Sequence, residues 1–518
     1  MKQSTLAKGT ILLTVTTLFS KFIGSLFRIP LQNIAGDEVF GIFSMVYPIY
    51  MVALILSVAG IPLAISKLIA EANDRNDLIA IHKIHTTGKR LAILFGFLSF
   101  IIILFFSDVL AALLGGSQTK LALLVVSSTL LIAPYMAVYR GYFQGFGNMQ
   151  PTSISQVIEQ LIRVNLMILL AFFLVSKGYS DEKIAGWMML GSFFGAACSL
   201  LYLIKVFYRN KPIKPSKSHY SLSVWWVSSI KILKLSIPIA FGAITMALLH
   251  FVDALTIPSG LRTIGFSPSE INYSFGLYSR GTALIQITTV LASAMILPLI
   301  PELTKKRLTQ SRQNITQTIT QPQLFIRLTA WPAAFMITVL ALPINLSLFT
   351  DINGSFMLAT IGFSSVFTSF AILGTGILQG INLAKEAAWI IMISVFLKAA
   401  LNLYFIQNFG VEGAAVATLL IYMLIVAMNT YILFQNKIGI IHFKQHLLII
   451  FSAFIVAMII YLPTLALPID KLSRFSAFFY VCLAIIIGSI LYTFLLFLFK
   501  IINFKTISSL LYKTRRKS

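Results

Sequence analysis

The stretch LAKGTILLTVTTLFSKFIGSLFRIPLQNIAG, from Leu6 to Gly36, decides the fold of this chain. It is long and apolar enough to cross a bilayer, since a spanning helix needs roughly 20 mostly apolar residues. Lys21 and Arg28 nevertheless lie inside it, seven positions apart and therefore on one face of a helix. A cation within hydrocarbon survives mainly by facing a protein-lined or water-filled interior. We therefore expect this face to look into a polar cavity that holds an anion.

The composition of the whole chain is that of a polytopic membrane protein. Of its 518 residues, 58% are hydrophobic and 11% are charged, and the mean hydropathy is +0.89. In a soluble domain, roughly a quarter of all residues would be charged. Most of the cations behind the net charge of +24 lie in short loops between apolar runs. This placement indicates membrane topology and anionic lipid headgroups as neighbours, not nucleic acid. Cys198 and Cys482 lie in apolar runs, so neither a disulfide framework nor a metal cluster is predicted.

Fourteen apolar segments are long enough to span a membrane, which predicts an all-α protein with fourteen transmembrane helices. They fall at about 8–34, 39–70, 88–107, 119–143, 153–176, 183–207, 232–257, 272–301, 322–349, 354–381, 386–407, 411–435, 446–465 and 473–500. With the N-terminus inside, most loop cations lie on the inner side. The outer segments then hold only Lys120, Lys177, Lys183, Arg262, Lys471 and Arg474. By the positive-inside rule, both termini are predicted to be cytoplasmic, in a multi-pass plasma-membrane protein.

An internal repeat is visible at a constant shift of 235 residues. GIFS at Gly41 matches GLYS at Gly276, GYFQG at Gly141 matches GILQG at Gly376, and Arg163 overlies Lys398. A six-helix unit has an even number of spans, so the second copy enters the membrane in the same direction as the first. The pattern predicts two six-helix lobes related by a pseudo-twofold axis along the membrane normal. The predicted domains are a lobe at 1–208, a cytoplasmic linker at 209–231, a lobe at 232–440, and two added helices with a basic cytoplasmic tail at 441–518.

Seven cations lie within spans or at their ends. Lys67 and Arg140 are near inner ends and are expected to extend to the headgroups. The deeper five are Lys21, Arg28, Arg163, Arg280 and Lys398. Only Glu159 and Asp253 are comparably embedded acids. The interior of the membrane domain is therefore predicted to be positive.

The motifs SKFIGSLFRIPLQNIAGDEVFGIFSMVYPIY, YRGYFQGFGNMQPTSISQ and YSRGTALIQ resemble the multidrug/oligosaccharidyl-lipid/polysaccharide exporter superfamily. Within it, the chain is similar to the bacterial polysaccharide-transporter branch that holds the lipid II flippases and stage V sporulation B-type proteins. The resemblance covers essentially the whole length. It implies a V-shaped, alternating-access exporter of undecaprenyl-diphosphate-linked sugars, in which the two added helices form a groove for the lipid tail.

The resemblance also implies site residues, because cations on the first and eighth helices of lipid II flippases line the cavity. Their first-helix pattern matches Ser20, Lys21, Gly24 and Arg28, and their eighth-helix Tyr-x-Arg pattern matches Tyr278 and Arg280. Two departures bear on which lipid-linked substrate is carried. The spacing from the first-helix Gly to the second cation is one residue longer than in the family. The second helix reads MVALILSVAG and lacks the family's cation there.

The five deep cations suggest a phosphate-binding site, and each group of them has an alternative structural role. Arg28, Arg280 and Lys21 are predicted to bind the diphosphate, because a guanidinium offers bidentate hydrogen bonds to phosphate oxygens. The alternative is that they anchor helices to headgroups. Arg163 and Lys398 either extend the basic surface along the cavity or serve structure, with Glu159 one helical turn from Arg163 as a candidate partner.

Histidines supply a second set of candidates. His250 and Asp253 share a face of the seventh span, where the pair could take up H⁺ or Na⁺. A structural hydrogen bond, or a salt bridge from Asp253 to a cavity cation, explains them equally well. The pairs His82 with His85 and His442 with His446 have metal-like spacing but lie in basic inner loops, so solvated loops are the favoured interpretation.

The sequence thus predicts a transporter and not an enzyme, namely a flippase of undecaprenyl-diphosphate-linked cell-envelope precursors such as lipid II or a related glycan. No Gly-rich ATP-binding signature appears. No cofactor is predicted, and the drive would come from a Na⁺ or H⁺ gradient or from the membrane potential. Partners would be the lipid-linked sugar and anionic lipids, with cell-wall synthesis enzymes as further candidates. A multidrug or cation exporter of the same fold, and a membrane glycosyltransferase using the same carrier, are the alternatives.

Overall fold

The computed structural model of the protein describes residues 2–58, 60–209, 222–309, 312–438 and 443–502. Within these residues the chain is almost wholly α-helical and has no β-strand. A chain in hydrocarbon must satisfy its backbone polar groups internally, and helices do so within one segment. Phe105 and Phe434 are 79% and 80% exposed, whereas Asn345 and Lys398 are buried. Large apolar side chains cover the outside, as expected of a protein that faces lipid, while several polar and charged side chains are buried within an apolar core. The all-α polytopic prediction is confirmed.

The helices follow the predicted apolar segments closely. In chain order they are α1 (Lys2–Leu26), α2 (Arg28–Val58), α3 (Ile61–Asp74), α4 (Leu78–Phe105), α5 (Ser107–Leu113), α6 (Lys120–Ser127), α7 (Ala133–Gly145), α8 (Gln150–Ser176), α9 (Asp181–Met188), α10 (Leu190–Arg209), α11 (Leu222–Thr263), α12 (Pro268–Thr309), α13 (Arg312–Val339), α14 (Ala341–Phe349), α15 (Ser355–Gly380), α16 (Ala384–Phe409), α17 (Val411–Gln435), α18 (Phe443–Ala466) and α19 (Arg474–Leu498).

Ten stretches of the described residues are long and apolar enough to span a membrane, or eleven if α13 and α14, bent by 79°, form one span. One of the ten, Ile11–Asp74, is 64 residues long. At 1.5 Å per residue it would extend about 96 Å, roughly three times the hydrocarbon thickness, so it must cross more than once. Gly36 (φ 79°, ψ 175°) interrupts α2 between the first two predicted spans. The count of fourteen is compatible with these helices and stays a prediction.

The chain forms two compact units. Unit 1 comprises Met1–Ser279 and Ala388–Ala417, and unit 2 comprises Arg280–Ala387 and Thr418–Ser518. Residues 210–221 of the predicted linker and residues 503–518 of the predicted tail lie outside the described residues. The boundaries of the two predicted lobes therefore remain predictions.

Within unit 1, α2 and α12 cross at two glycines. A methyl group on Gly41 would lie 1.8 Å from the carbonyl oxygen of Asn272, and one on Gly276 would lie 2.1 Å from that of Asp37. Adding 235 to Gly41 and to Asp37 gives Gly276 and Asn272. The two contacts are thus equivalent under the sequence repeat. Such reciprocity is what a twofold relation between two copies produces at the axis, and it agrees with the predicted parallel duplication.

Candidate functional site

The five deep cations do not share one environment. Arg28 and Arg163 lie together in unit 1, Lys398 and Arg280 are each held by a carboxylate, and the Lys21 side chain is exposed. Arg280 and Lys398 therefore do not add an uncompensated charge to the interior that was predicted to be positive. The reason is that their acidic partners come from distant parts of the chain.

Arg28 lies at the start of α2 and is only 7% exposed. Its guanidinium carbon is 5.9 Å from the ring centre of Phe43 and 6.0 Å from that of Tyr47. These two rings follow the break at Gly36, which folds the second part of α2 back toward the first. Arg28 Nε has no hydrogen-bond partner among the described residues. Aromatic faces attract a guanidinium but do not neutralise it, so a full positive charge remains.

Arg163 on α8 supplies the second charge of this cluster. Its Nη2 donates a hydrogen bond to Oε1 of Gln160, and the residue interacts electrostatically with Tyr47 and Tyr50. Arg28 and Arg163 are close enough for their charges to repel each other. Two cations brought together in a largely buried place form a site that favours an anion with several oxygens.

Gly24, a member of the first-helix motif, allows α1 to approach this cluster. A methyl group at Gly24 would lie 2.9 Å from Nε2 of Gln160. This nitrogen is buried and has no acceptor among the described residues. This amide belongs to the residue that Arg163 contacts, and it is a further donor that phosphate oxygens could satisfy.

Glu159 does not cancel the cluster, because Arg140 also binds it. Arg140 Nη2 lies 2.7 Å from Glu159 Oε2 and 3.1 Å from the hydroxyl of Ser199, and Nε lies 3.0 Å from that of Ser155. The expected extension of Arg140 to the headgroups is therefore wrong, since this acid draws it inward. Glu159 also attracts Arg163, so one carboxylate serves two cations and the region stays positive.

Lys398 on α16 forms a closed ion pair with Asp253 on α11. Lys398 Nζ lies 2.6 Å from Asp253 Oδ2, with the two side chains 1% and 3% exposed. The hydroxyl of Tyr278 donates to Oδ2 at 3.0 Å, and Asn402 Nδ2 donates to Oδ1 at 3.0 Å. The carboxylate is fully engaged, so the salt-bridge interpretation of Asp253 describes this conformation.

His250 lies one helical turn before Asp253 and is half-buried. It interacts electrostatically with Lys398, Asp253 and Arg28. The histidine is thus within electrostatic range of both the Lys398 ion pair and Arg28, all in unit 1. Ion coupling through His250 and Asp253 remains a prediction.

Arg280 belongs to unit 2, where it ties down the loop that follows α14. Its Nη2 lies 2.8 Å from Asp351 Oδ2 and its Nη1 lies 2.9 Å from Oδ1, a bidentate pair. Nη1 also donates to Oδ1 of Asn345 at 2.9 Å. The Arg280 side chain is 1% exposed and that of Asp351 is 35% exposed. In this conformation the Arg280 guanidinium stabilises the loop through Asp351 and Asn345.

Several site residues were not found from the sequence. Tyr47, Gln160, Asp351 and Asn402 were not among the predicted site residues, although Tyr47 lies within the first quoted motif and Asp351 is an acid. Gln160 and Asn402 stand three and four positions from Arg163 and Lys398. A search for polar residues one turn from each embedded cation would have found both.

The predicted solvated loop at His82 and His85 is partly wrong. His85 is buried on α4 and packs 5.2 Å from the ring centre of Tyr139 and 4.9 Å from that of Phe207. Its helix extends further toward the inner side than the hydropathy pattern predicted. His442 lies outside the described residues.

The first half of the chain carries a recognisable family pattern. The profile of the family described as "Polysaccharide biosynthesis protein" matches residues 6–307, more than half of the chain. The chain belongs to the polysaccharide biosynthesis protein family. Among its relatives in Bacillus subtilis, an uncharacterized membrane protein, YabM, is 28% identical over 442 residues, 84% of this chain and 81% of that protein. The lipid II flippase MurJ is 26% identical over 440 residues, 81% of this chain and 80% of that protein.

Solved structures place this family member in the predicted superfamily fold. A lipid II flippase MurJ in an inward closed conformation matches with a TM-score of 0.68 at 17% identity, covering 94% of this chain and 98% of that one. An inward-facing multidrug resistance MATE transporter of the MOP superfamily matches with a TM-score of 0.61 at 14% identity, covering 81% and 95%. These likenesses confirm the predicted multidrug/oligosaccharidyl-lipid/polysaccharide fold.

Proposed function

We propose that this protein is a flippase that carries undecaprenyl-diphosphate-linked cell-envelope precursors, lipid II or a related lipid-linked glycan, across the plasma membrane. The observation that carries the proposal is the Arg28 and Arg163 cluster, two cations that interact electrostatically and have Glu159, which Arg140 also binds, as a nearby carboxylate. The relationship to a lipid II flippase at 26% identity supports the same class of cargo.

The diphosphate is the part of such a cargo that the cluster would recognise. Arg28 and Arg163 would each donate paired hydrogen bonds to its oxygens, with Gln160 Nε2 as a neutral donor. Exposed Lys21, on the same helical face as Arg28, would meet the headgroup first. Arg280 and Lys398 could bind phosphate only after exchanging Asp351 and Asp253 for it, so their predicted binding roles require a second conformation.

The drive follows from the charge of the cargo. The membrane potential favours outward movement of an anion by about 2.3 kcal/mol per charge per 100 mV. Na⁺ or H⁺ coupling through His250 and Asp253 would add to this, and it would require Lys398 to leave Asp253. Both termini would be cytoplasmic, and cell-wall synthesis enzymes would supply and consume the cargo.

Alternating access needs a gate, and the glycine crossing of α2 and α12 is suited to this role. In the predicted topology Asp37 and Asn272 lie at the outer ends of their helices. Gly41 and Gly276 let the backbones meet there without side chains between them. We propose that this contact closes the outer side while the cargo is bound from the inside.

The alternatives fit the residues less well. A multidrug exporter for cations would require embedded carboxylates facing an apolar pocket, whereas Asp253 is neutralised by Lys398. A glycosyltransferase would require acids that bind a metal or act as a base. Groups of three or more potential metal-binding side chains do not occur among the described residues.

Proteoliposomes separate the proposal from these alternatives. The purified protein should move a fluorescent lipid-linked sugar to the outer leaflet, and it should rescue growth of cells depleted of their own lipid II flippase. Glycan chain growth in the same liposomes would support the glycosyltransferase. Efflux of a cationic dye without movement of the lipid-linked sugar would support the multidrug exporter.

A further inference from the structure

Unit 2 holds a cavity that the proposed transport cycle does not use. It lies between α13, α15 and α17 and has a volume of about 680 Å³. Sites for small molecules and cofactors commonly measure roughly 300–1,000 Å³ and are mostly apolar with a few polar groups. The lining here fits that description, with Phe370 and Ile377 among its apolar residues and Gln323 and Arg327 among its polar ones.

Arg327 gives this cavity its charge. It is half-buried on α13 and makes no hydrogen bond or ion pair with the part of the chain that the structure describes. The lining contains no Asp or Glu. A further neighbour, His446, packs at 6.1 Å from the ring centre of Trp331 and interacts electrostatically with Arg327. A guanidinium among apolar and basic neighbours is complemented by an anion, and most strongly by phosphate.

The cavity opens toward the surface that faces lipid. Tyr431 and Phe434 line it and are 62% and 80% exposed. In the predicted topology these residues lie at the inner ends of their helices, where the cytoplasmic leaflet is rich in anionic lipids. An occupant that enters from this side must therefore combine an acyl chain with an anionic headgroup.

We propose that this cavity binds one anionic glycerophospholipid of the inner leaflet. Its phosphate would lie on Arg327 with Gln323 beside it, and an acyl chain would lie along Phe370 and Phe434. The site would thus bind a resident lipid and not the cargo. The proposal depends on unit 2 alone and holds whether or not the arginine cluster of unit 1 binds a diphosphate.

Native mass spectrometry of the full-length protein tests this directly. The protein would be titrated with phosphatidylglycerol, with phosphatidylcholine and with inorganic phosphate. We expect one phosphatidylglycerol to bind at least about 10-fold more tightly than phosphatidylcholine, because the choline ammonium of phosphatidylcholine offsets its phosphate charge and is repelled by Arg327. Inorganic phosphate alone should neither bind nor compete, because it lacks the acyl chain.

Three variants separate this site from general attraction of lipid by basic residues. Arg327→Gln should weaken phosphatidylglycerol binding about 10-fold. Ala427→Phe, which fills the cavity and keeps its charge, should do the same. Lys385→Gln removes an exposed cation of unit 2 outside the cavity lining and should leave binding unchanged.

Three results would overturn the proposal. An equal loss in Lys385→Gln would indicate non-specific attraction. Equal affinity for phosphatidylcholine would indicate an apolar groove without headgroup recognition. Displacement of phosphatidylglycerol by undecaprenyl diphosphate would place the cavity on the cargo path instead. Transport assays of Arg327→Gln separate failure of the lipid-site proposal from failure of the proposed transport function, since transport can persist without the bound phospholipid.

Discussion

Arg163 and Lys398 occupy equivalent positions in the two sequence copies, yet only Lys398 is held in a closed ion pair. Lys398 is locked to Asp253 and shares that carboxylate with Tyr278. At the same 235-residue shift, Leu18 stands where Asp253 would be, and Phe43 stands where Tyr278 would be. Duplication kept a cation in both copies, while the residues around it decide whether that cation fixes the structure or remains available to a ligand.

The two environments also differ in how they tolerate a lost partner. A fully buried ion pair contributes little net stability, but removal of one partner strands a charge and is costly. Arg163 and Arg28 already have a comparable energetic cost, because they are two like charges that interact with each other in a largely buried place. An anionic cargo would relieve it, so binding and stability are coupled in the N-terminal copy only.

The largest effect is expected for the locked pair. Asp253→Asn leaves the Lys398 ammonium buried without a counter-ion, which should lower the free energy of unfolding by about 3–5 kcal/mol. Thermal unfolding in detergent measures this. The double variant Asp253→Leu with Lys398→Leu should recover most of the loss. If the single and double variants were equally destabilised, the pair would not be the source of the effect.

Removal of either cluster arginine should impair transport without destabilising the empty protein, because it also removes the repulsion between the two charges. Arg28→Ala or Arg163→Ala each removes a bidentate phosphate contact worth about 1.5–3 kcal/mol, so the transport rate should fall about 10- to 100-fold. Movement of a labelled lipid-linked sugar in proteoliposomes gives the rate. Lys67→Ala, at an exposed cation, serves as the control and should change it less than about twofold. Equal losses in all three would mean that general basic charge, not a site, is being measured.

An acid introduced near Arg163 in the N-terminal copy should give this cation a counter-ion like the one that Lys398 has in the C-terminal copy. Leu18→Asp supplies Arg163 with a carboxylate at the repeat-equivalent position of Asp253, and we expect transport to fall about 10-fold as the cluster is neutralised. Leu18→Asn has nearly the same shape without the charge and should transport close to normally. Identical behaviour of the two variants would show that the equivalence in sequence does not extend to charge.

The smallest effect is expected at Arg280 in unit 2. Asp351 is 35% exposed, so water screens the pair and Asp351→Asn should cost only about 1 kcal/mol of unfolding free energy. Transport separates the two roles of Arg280. If it only fixes the loop, Arg280→Gln and Asp351→Asn should transport equally well. A much larger loss in Arg280→Gln would support the cargo-binding role predicted from the family motif.

Sequence patterns were sufficient for the features that depend on neighbours along the chain. Hydropathy placed the helices, and the repeat was visible because Gly41, Gly276 and their surrounding motifs persist at one shift. The first-helix motif also selected Arg28, which the structure places in the arginine cluster. The ion pair of Glu159 with Arg140 was not predicted. Arg163 lies one helical turn from Glu159 in the sequence, whereas Arg140 lies on another helix and reaches Glu159 only in the folded protein.

The sequence by itself determined that this is a helical membrane protein of the polysaccharide biosynthesis protein family with embedded cations, because hydropathy, charge placement and motif spacing are properties of short segments. Only the tertiary structure decided which of those cations keeps its charge available. Asp253 and Lys398 are 145 residues apart and Arg280 and Asp351 are 71 apart. Coulomb energy depends on distance in space and on burial, and neither quantity can be read from separation along the chain.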